Sequence, residues 1–436
     1  MNKLSNLLIV FFAGIFLTAC NESSPNKEQN KNSDSSLVNT SHLDYLTIPI
    51  TFPNGVKASG IYIYAEAPDY HFVTDSDEGF TCVDDVARAA QVYLRSTHFS
   101  SDTATQNRAI NLIRFILEMQ SENGYFYNFL FPGNIINDTG STSINGPHWW
   151  SWRALQTLTE ATPLIKNIDS ELAARIDTAV YKLVERIKTE LVKIPLTTKV
   201  VSGITVPQWL PSGSATDQSA IIIIGLIPYC KATGDTIATA YIKKLADGIV
   251  MVQQGSASQF PYSCFLSWEN VWHAYGNDQA YALLKAAAFF KDSNYSQKAI
   301  QEVANFYPWL SKNGFISSFS LNKKADVFEI LEEKKYAQIA YGIRPMVSAA
   351  TEAYHLTGEE KYADIAGNIA AWLVGKNETG KSIYDIATGR CYDGIIGKDS
   401  INYNSGAEST IEALLTLQMV EKAPAIKKAF NKYKKQ

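Results

Sequence analysis

Gly358-Glu359-Glu360-Lys361-Tyr362, followed within four residues by Ala366-Gly-Asn-Ile-Ala-Ala-Trp-Leu, is the phrase that decides the fold. It is a turn feeding a helix whose apolar residues recur three and four apart, the period of one buried face. The phrase recurs upstream with variations. Gly234-Asp235 leads to Tyr241-Ile-Lys-Lys-Leu-Ala-Asp-Gly-Ile, and Asp292-Ser-Asn-Tyr leads to Lys298-Ala-Ile-Gln-Glu-Val-Ala-Asn-Phe. Before each copy lies another helical stretch, more apolar and less charged, over 218–229, 270–290 and 336–356. A helix that is apolar all round is buried all round, so each pair reads as an inner helix followed by an outer one.

The same alternation extends in both directions. Apolar helices begin near Asp84, Trp149, Asp217, Glu269, Tyr336 and Ser405, and more polar ones follow over 106–119, 170–192, 238–252, 295–309, 362–374 and 423–433. Six hairpins with inner and outer helix rings make an all-α (α/α)6 toroid, expected as a single domain over 43–436. An open solenoid shows similar periodicity, but its repeats are usually shorter and more uniform.

Ahead of this domain, Lys3 precedes an apolar run over 7–17 that ends in Leu17-Thr18-Ala19-Cys20. This is a secretory signal over 1–19 closing on a lipobox. The run is too short for a permanent membrane helix, so Cys20 is expected to become the lipidated first residue. Residues 20–42 form the lipidated Cys and a flexible tether rich in Asn, Ser, Lys and Glu. The expected place is the bacterial cell envelope, periplasmic or surface-exposed, with membrane contact through the lipid alone. The formal charge of −4 and the lack of a basic stripe argue against a nucleic-acid partner, and a monomer is expected. Cys82, Cys230, Cys264 and Cys391 are scattered without a CxxC pattern, which excludes an obvious zinc site and leaves disulfides and buried thiols both open. Neither a glycine-rich phosphate loop before a helix nor a Gly-x-Ser-x-Gly elbow occurs, so no cofactor and no metal is expected.

Connections between hairpins are rich in aromatic and turn residues, such as Asn145-Gly-Pro-His-Trp-Trp and Val206-Pro-Gln-Trp-Leu-Pro-Ser-Gly. They should rim one end of the ring, where a polar floor and aromatic walls suit sugar faces. Any single aromatic more often just packs a loop onto a helix; the content of 23 Tyr and 8 Trp adds weight to a carbohydrate cleft.

Three stretches carry a resemblance. Thr81-Cys-Val-Asp-Asp-Val-Ala-Arg-Ala-Ala, Asn123-Gly-Tyr-Phe-Tyr-Asn-Phe, and Gly389-Arg-Cys-Tyr-Asp-Gly with Asn404-Ser-Gly-Ala-Glu-Ser-Thr resemble the six-hairpin glycosidase superfamily. More narrowly, they resemble bacterial helical domains associated with sugar-nucleotide glycosyltransferases. The resemblance spans about 80–417 and implies carbohydrate chemistry. It leaves the reaction open, since the superfamily includes inverting hydrolases, unsaturated-uronide hydrolases and relatives of polysaccharide lyases.

Glycoside hydrolysis needs a protonated acid at the leaving oxygen and a second carboxylate. Asp84, Asp85, Asp217, Glu269 and Glu408 stand at predicted inner-helix entrances, with Asp278 deeper. Thr81 to Asp84, Ser214 to Asp217 and Ser405 to Glu408 also match the spacing of a capping box, a purely structural use of the acid. Asp85 escapes that explanation because Cys82 stands three before it, so Asp85 ranks first and Asp84 second. Arg88 pairs with either acid, Asp84 at helical spacing. In a closed ring Glu408 neighbours the first inner helix and becomes the partner acid. Glu269 and His273 share a helix face, with Asn277 and Asp278 a turn on, for substrate hydrogen bonding or an interior network. His148, Trp149 and Trp150 with Arg153 offer a stacking platform and a cation, or simply anchor a helix start.

The expected activity is thus a glycoside hydrolase acting on oligosaccharide or polysaccharide glycans by an inverting two-carboxylate mechanism through Asp85, Asp84 and Glu408. Substrate contacts are expected from Arg88, Tyr125, His148, Trp149, Trp150, Asp217, Glu269, His273, Asp278, Arg390, Tyr392, Asp393 and Asn404. The alternatives are a noncatalytic glycan-binding toroid, or a polysaccharide lyase with Tyr392 as base and Arg390 neutralising a uronate.

Overall fold

A computed structural model describes residues 36–434; the lipobox, Cys20 and the tether up to residue 35 lie outside the described residues. A short helix α1 (Ser41–Leu46) is followed by six inner–outer pairs. These are α2 (Val83–Leu94) with α3 (Thr103–Glu118), α4 (Trp149–Ile165) with α5 (Ser170–Glu190), and α6 (Thr216–Thr233) with α7 (Thr236–Met251). Then come α8 (Gln279–Phe290) with α9 (Ser293–Lys312), α10 (Ala340–Thr357) with α11 (Glu360–Ala370), and α12 (Ala407–Lys422) with α13 (Pro424–Tyr433). Each inner helix packs on its own outer partner and on the next inner helix, and α12 packs back on α2, which closes the ring.

The sequence explains which helix goes where. In α6 the successive residues Ile221-Ile222-Ile223, which point about 100° apart, are all fully buried; cutting one such isoleucine to alanine costs about 2–5 kcal/mol. Outer helices are one-sided: α5 buries Leu172, Ile176, Val180, Leu183 and Ile187 and exposes the rest of its face. Four outer helices start on an aspartate. Asp102, Asp169, Asp235 and Asp292 accept N–H groups of their first turns, the donors a helix start leaves unpaired. Gly234 and Gly358 end α6 and α10 at positive φ, which lets each chain reverse at once into the outer partner.

Inner helices begin differently. Of the six, only α2 has a side-chain cap, and there it is Cys82, whose Sγ accepts from the Asp85 N–H at 3.4 Å. None of the expected capping boxes forms. Thr81 Oγ1 accepts from the Ile61 N–H, Ser214 donates to the Pro207 carbonyl, and Ser405 donates to the Cys391 carbonyl. Asp84 and Glu408 are therefore free of capping duty at their own helices, whereas Asp217 accepts the first-turn N–H of Gln218 at 2.6 Å.

Four expectations need adjustment. The chain is not all-α: among the described residues eight small antiparallel sheets fill the connections, the longest ladder pairing Ser318–Lys324 with Val327–Lys334. The fourth inner helix does not begin near Glu269. Glu269 has φ +51° in a turn, Val271–His273 is a strand paired with 318–320, and Asp278 is the N-cap of α8. The fifth inner helix starts at Ala340, not near Tyr336. Residues 37–42, expected in the tether, lie against the helical body. Leu37 is buried and its N–H bonds Glu421 of α12, Asn39 donates to the Ile386 and Ala387 carbonyls, and His42 bonds the Ser405 carbonyl. Among the described residues no helix is long and apolar enough to cross a membrane.

Candidate active site

The amino ends of the inner helices converge on one guanidinium. Arg88, on the second turn of α2 and almost wholly buried, reaches four carboxylates. Its Nε stands 3.1 Å from Asp84, Nη2 is 2.8 Å from Asp85 and 3.2 Å from Glu408, and Nη1 is 2.9 Å from Glu412. A second arginine, Arg344 of α10, bonds the other oxygen of Glu412 through Nε and grips Asp278 with both terminal nitrogens at 3.2 and 3.0 Å. A third, Arg153 of α4, lies 3.5 Å from Asp84 and donates to the Tyr341 hydroxyl. Arg88 and Arg153 both stand over the Tyr341 ring, at 4.8 and 5.2 Å.

Three cations therefore face five carboxyl groups in a space with little water. Such a site favours keeping protons on the surplus acids. Burial, reinforced by neighbouring Asp84 and opposed by Arg88, pushes Asp85 up to about 6. Burial and the other three carboxylates likewise push Glu408 up to about 7 against the pull of Arg88. The two acids differ in access. Asp85 is 4% exposed, with one oxygen on Arg88 and the other accepting from the Cys82 thiol at 3.4 Å. Glu408 is backed by the ring wall, yet 41% of its side chain is open to solvent, and it lines a recess of about 150 Å³ with Ile63, Tyr64, Tyr341, Asp393 and Ser409. Asp84, 23% exposed, is the other acid of the cluster with an open side.

Across the ring lies a second polar group. Asp217, in the first turn of α6, bonds His273 Nε2 at 3.0 Å, while His273 Nδ1 faces the Tyr275 carbonyl at 2.8 Å. Both ring nitrogens face acceptors, so both are occupied, and the imidazole stacks on the Tyr275 ring at 3.7 Å. This pair is built to hold a wall in place.

Other expected contacts fall elsewhere. Tyr125 is buried outside the ring, its hydroxyl donating to Glu190 of α5 at 2.7 Å. Trp150 is an anchor, with its indole N–H on the Phe126 carbonyl and the His148 ring packed on it. Trp149, half-buried under Arg153 at 5.9 Å, is the member of that trio beside the arginine cluster. Glu269 pairs with Lys199 on a peripheral hairpin. Asp278 is closed off by Arg344. Asn404 accepts from the Ala67 N–H and holds a loop. Arg390 lies over Tyr70, and Tyr392 meets Tyr403 edge-on at 5.0 Å, apart from the Arg88 cluster. Asp393 accepts from the Gly406 N–H at 2.9 Å and from the Ser409 hydroxyl at 2.6 Å, tying the start of α12 to a different segment; burial raises its proton affinity.

Glu412, Arg344, Tyr341 and Cys82 were not singled out from sequence. A signal existed for two of them: Glu412 and Arg344 are charges inside otherwise apolar helices, and such charges are kept only when paired. Larger recesses exist, including one of about 500 Å³ at the carboxyl ends of the inner helices, lined by Arg95, Glu160, Lys285 and Glu352, but their charges pair singly.

No protein-family model matches the chain, and no curated protein does. Solved structures do. A cellobiose 2-epimerase from Bacillus thermoamylovorans superposes with TM-score 0.58 at 12% identity, over 84% of this chain and 92% of that one. A sugar epimerase from a ruminal bacterium gives 0.57 at 13%, over 84% and 92%. A GH family 9 endoglucanase gives 0.51 at 12%, over 87% and 82%. At these identities the likeness shows the fold alone: the chain shares the closed ring of helical hairpins of these structures.

Proposed function

We propose that this chain is a carbohydrate-active hydrolase that cleaves glycosidic bonds with Glu408 as general acid and Asp84 as the second carboxylate. The observation that carries the reading is Glu408 itself. It is a carboxyl group pushed up to about 7, open on one side to a recess and held at the back by a guanidinium that also holds Asp84. A general acid needs a proton near neutral pH and access to the leaving oxygen, and Glu408 combines the two. Because both acids touch one planar guanidinium, their oxygens are less than about 9 Å apart. That bound accommodates the separations of inverting enzymes, about 6.5–9.5 Å, and of retaining ones, about 5–5.5 Å.

In the inverting reaction Glu408 gives its proton to the glycosidic oxygen as the C–O bond breaks. Asp84 takes a proton from a water that adds to the anomeric carbon from the opposite face, and exchange with solvent returns Glu408 to its acid form. Asp85, ranked first from sequence, is assigned a positioning role, because it is buried with both its oxygens engaged within the protein, whereas Asp84 keeps an open side. Glu412 and Arg344 fix Arg88 from behind. Tyr341, Trp149, Tyr64 and Tyr275 supply ring faces around the opening. The lipid-anchored envelope location is proposed from the sequence of residues 1–20 alone.

The test is a panel of oligosaccharides digested with the chain from Asn21 onward, products being read by mass spectrometry and NMR. Fragments that gain one water per cleavage and vanish with Glu408→Gln support the reading. Cleavage without added water, a product of unchanged mass with a new sugar configuration, or retention of intact glycans each overturns it, in favour of a lyase, an epimerase or a binder respectively.

A further inference from the structure

Of the nine arginines in the sequence, eight hold a carboxylate. Among the described residues Arg390 alone among them makes no ion pair. Its guanidinium lies 4.1 Å from the centre of the Tyr70 ring, and its Nε is buried without a hydrogen-bond partner. The acid opposite it on the two-residue ladder, Asp385, is engaged by the Ala387 N–H and the Thr388 hydroxyl. The guanidinium is thus held by a ring face and by no carboxylate of the described residues, which leaves its charge for an acid from outside.

The surroundings suit a sugar. Tyr392 and Tyr403 meet edge-on beside Arg390, and Tyr403 is 45% exposed. Tyr45, exposed as well, donates to the Tyr70 carbonyl and braces that ring. Exposed Tyr and Trp side chains are not spread evenly over the molecule. Tyr45, Tyr64, Trp268, Tyr275 and Tyr403 all stand around the amino ends of the inner helices or on the arm packed against them, and only Tyr181 lies on an outer helix. The Arg390 turn continues into Asp393, which lines the same recess as Glu408.

We infer that Arg390, with Tyr70, Tyr392 and Tyr403, forms a subsite for an acidic sugar: one glycan residue bearing a carboxylate, next to the recess of Glu408. A guanidinium offers a carboxylate two parallel donors, and tyrosine rings offer a flat apolar face to a pyranose. A single free cation selects one acidic residue in a chain, not a polyanion, in keeping with the net negative charge of the protein. The inference rests on the carbohydrate reading of the ring but not on hydrolysis by Glu408.

The experiment is calorimetric titration of the Glu408→Gln chain with a glucuronate-terminated tetrasaccharide and with its carboxyl-reduced counterpart. The acidic form is expected to bind at least about tenfold more tightly. Arg390→Gln should abolish that preference while leaving affinity for the reduced form, which also shows that the variant is folded. Arg390→Lys, which keeps the charge and loses the fork, should retain part of the preference. Equal affinity for the two glycans, or an unchanged preference in Arg390→Gln, overturns the acidic-sugar subsite alone. Failure of both glycans to bind overturns it together with the carbohydrate reading.

Discussion

The two mouths of the inner ring carry the same residue types and use them in opposite ways. At the carboxyl mouth Arg95 holds Glu160 through two bonds of 2.7 Å and Lys285 holds Glu352 at 3.0 Å, one cation to each acid, all four partly exposed. At the amino mouth three arginines share five acids, most of them buried, and the surplus appears as raised proton affinity at Asp85 and Glu408. The larger recess belongs to the balanced mouth and the smaller to the unbalanced one. On the proposed reading the site is marked by an excess of one charge in poor contact with water, not by space alone.

The widest gap between the mouths should appear in catalysis. Glu408→Gln is expected to lower kcat/KM by about 10²–10⁴, whereas Glu352→Gln should change it less than about twofold, since an exposed pair contributes little. Comparable losses at both mouths, in steady-state assays on a cleaved glycan, would break the comparison. Stability should separate them next. Arg88→Met strands Asp84, Asp85, Glu408 and Glu412 and should cost about 3–5 kcal/mol; Arg95→Met should cost no more than about 1 kcal/mol. Urea denaturation of both variants measures this, and equal costs would mean that the Arg88 cluster is as well hydrated as a surface pair.

The pH dependence sharpens the contrast further. Because Asp85 and Glu408 are raised above the unfolded values of 3.8 and 4.5, the native chain holds protons that the unfolded chain has released between about pH 4 and 7. Their contribution is fully present below that window and is lost as pH rises through it, the reverse of a salt-bridged acid. Asp85→Asn should remove its share of the slope in thermal denaturation at stepped pH. In kcat/KM a limb falling above about pH 7 should mark loss of the Glu408 proton. The smallest effect is expected at Cys82. Cys82→Ala removes a helix cap at about 1 kcal/mol and, by deleting the thiol donor, should raise Asp85 further; carbon-13 NMR of that carboxyl reads the direction. A downward movement would show that the thiol does not bond it.

How much of this was legible follows from what kind of contact made it. The hairpins were visible because each is local: a turn, an amphipathic period, then a run apolar on all sides. The fourth inner helix was misplaced because 269–278 shares the apolar spacing of a helix, while its strand pairing is with residues near 318–320, which no local pattern announces. Asp84, Asp85, Arg88 and Glu408 could be listed from their places at helix entrances, and neighbouring first and last helices were expected from closure. The ranking proposed for them turns on which oxygens Cys82 and Arg88 occupy, and no sequence pattern announces that. Glu412 and Arg344 stand past the first turns of their helices, where only a charge inside Ala-Leu-Leu or Ile-Arg-Pro-Met surroundings marks them.

Ring closure has a consequence for how the molecule comes into being. Arg88 and Glu408 stand 320 positions apart in the chain, so during synthesis the first half of the site emerges long before the second. A nascent or truncated chain ending before Ala407 would carry Arg88, Asp84 and Asp85 on an open arc of five hairpins, with the apolar flanks of α2 and α10 uncovered and no acid to give a proton. The last inner helix, α12, thus closes the wall and brings the proposed acid to Arg88 in one event.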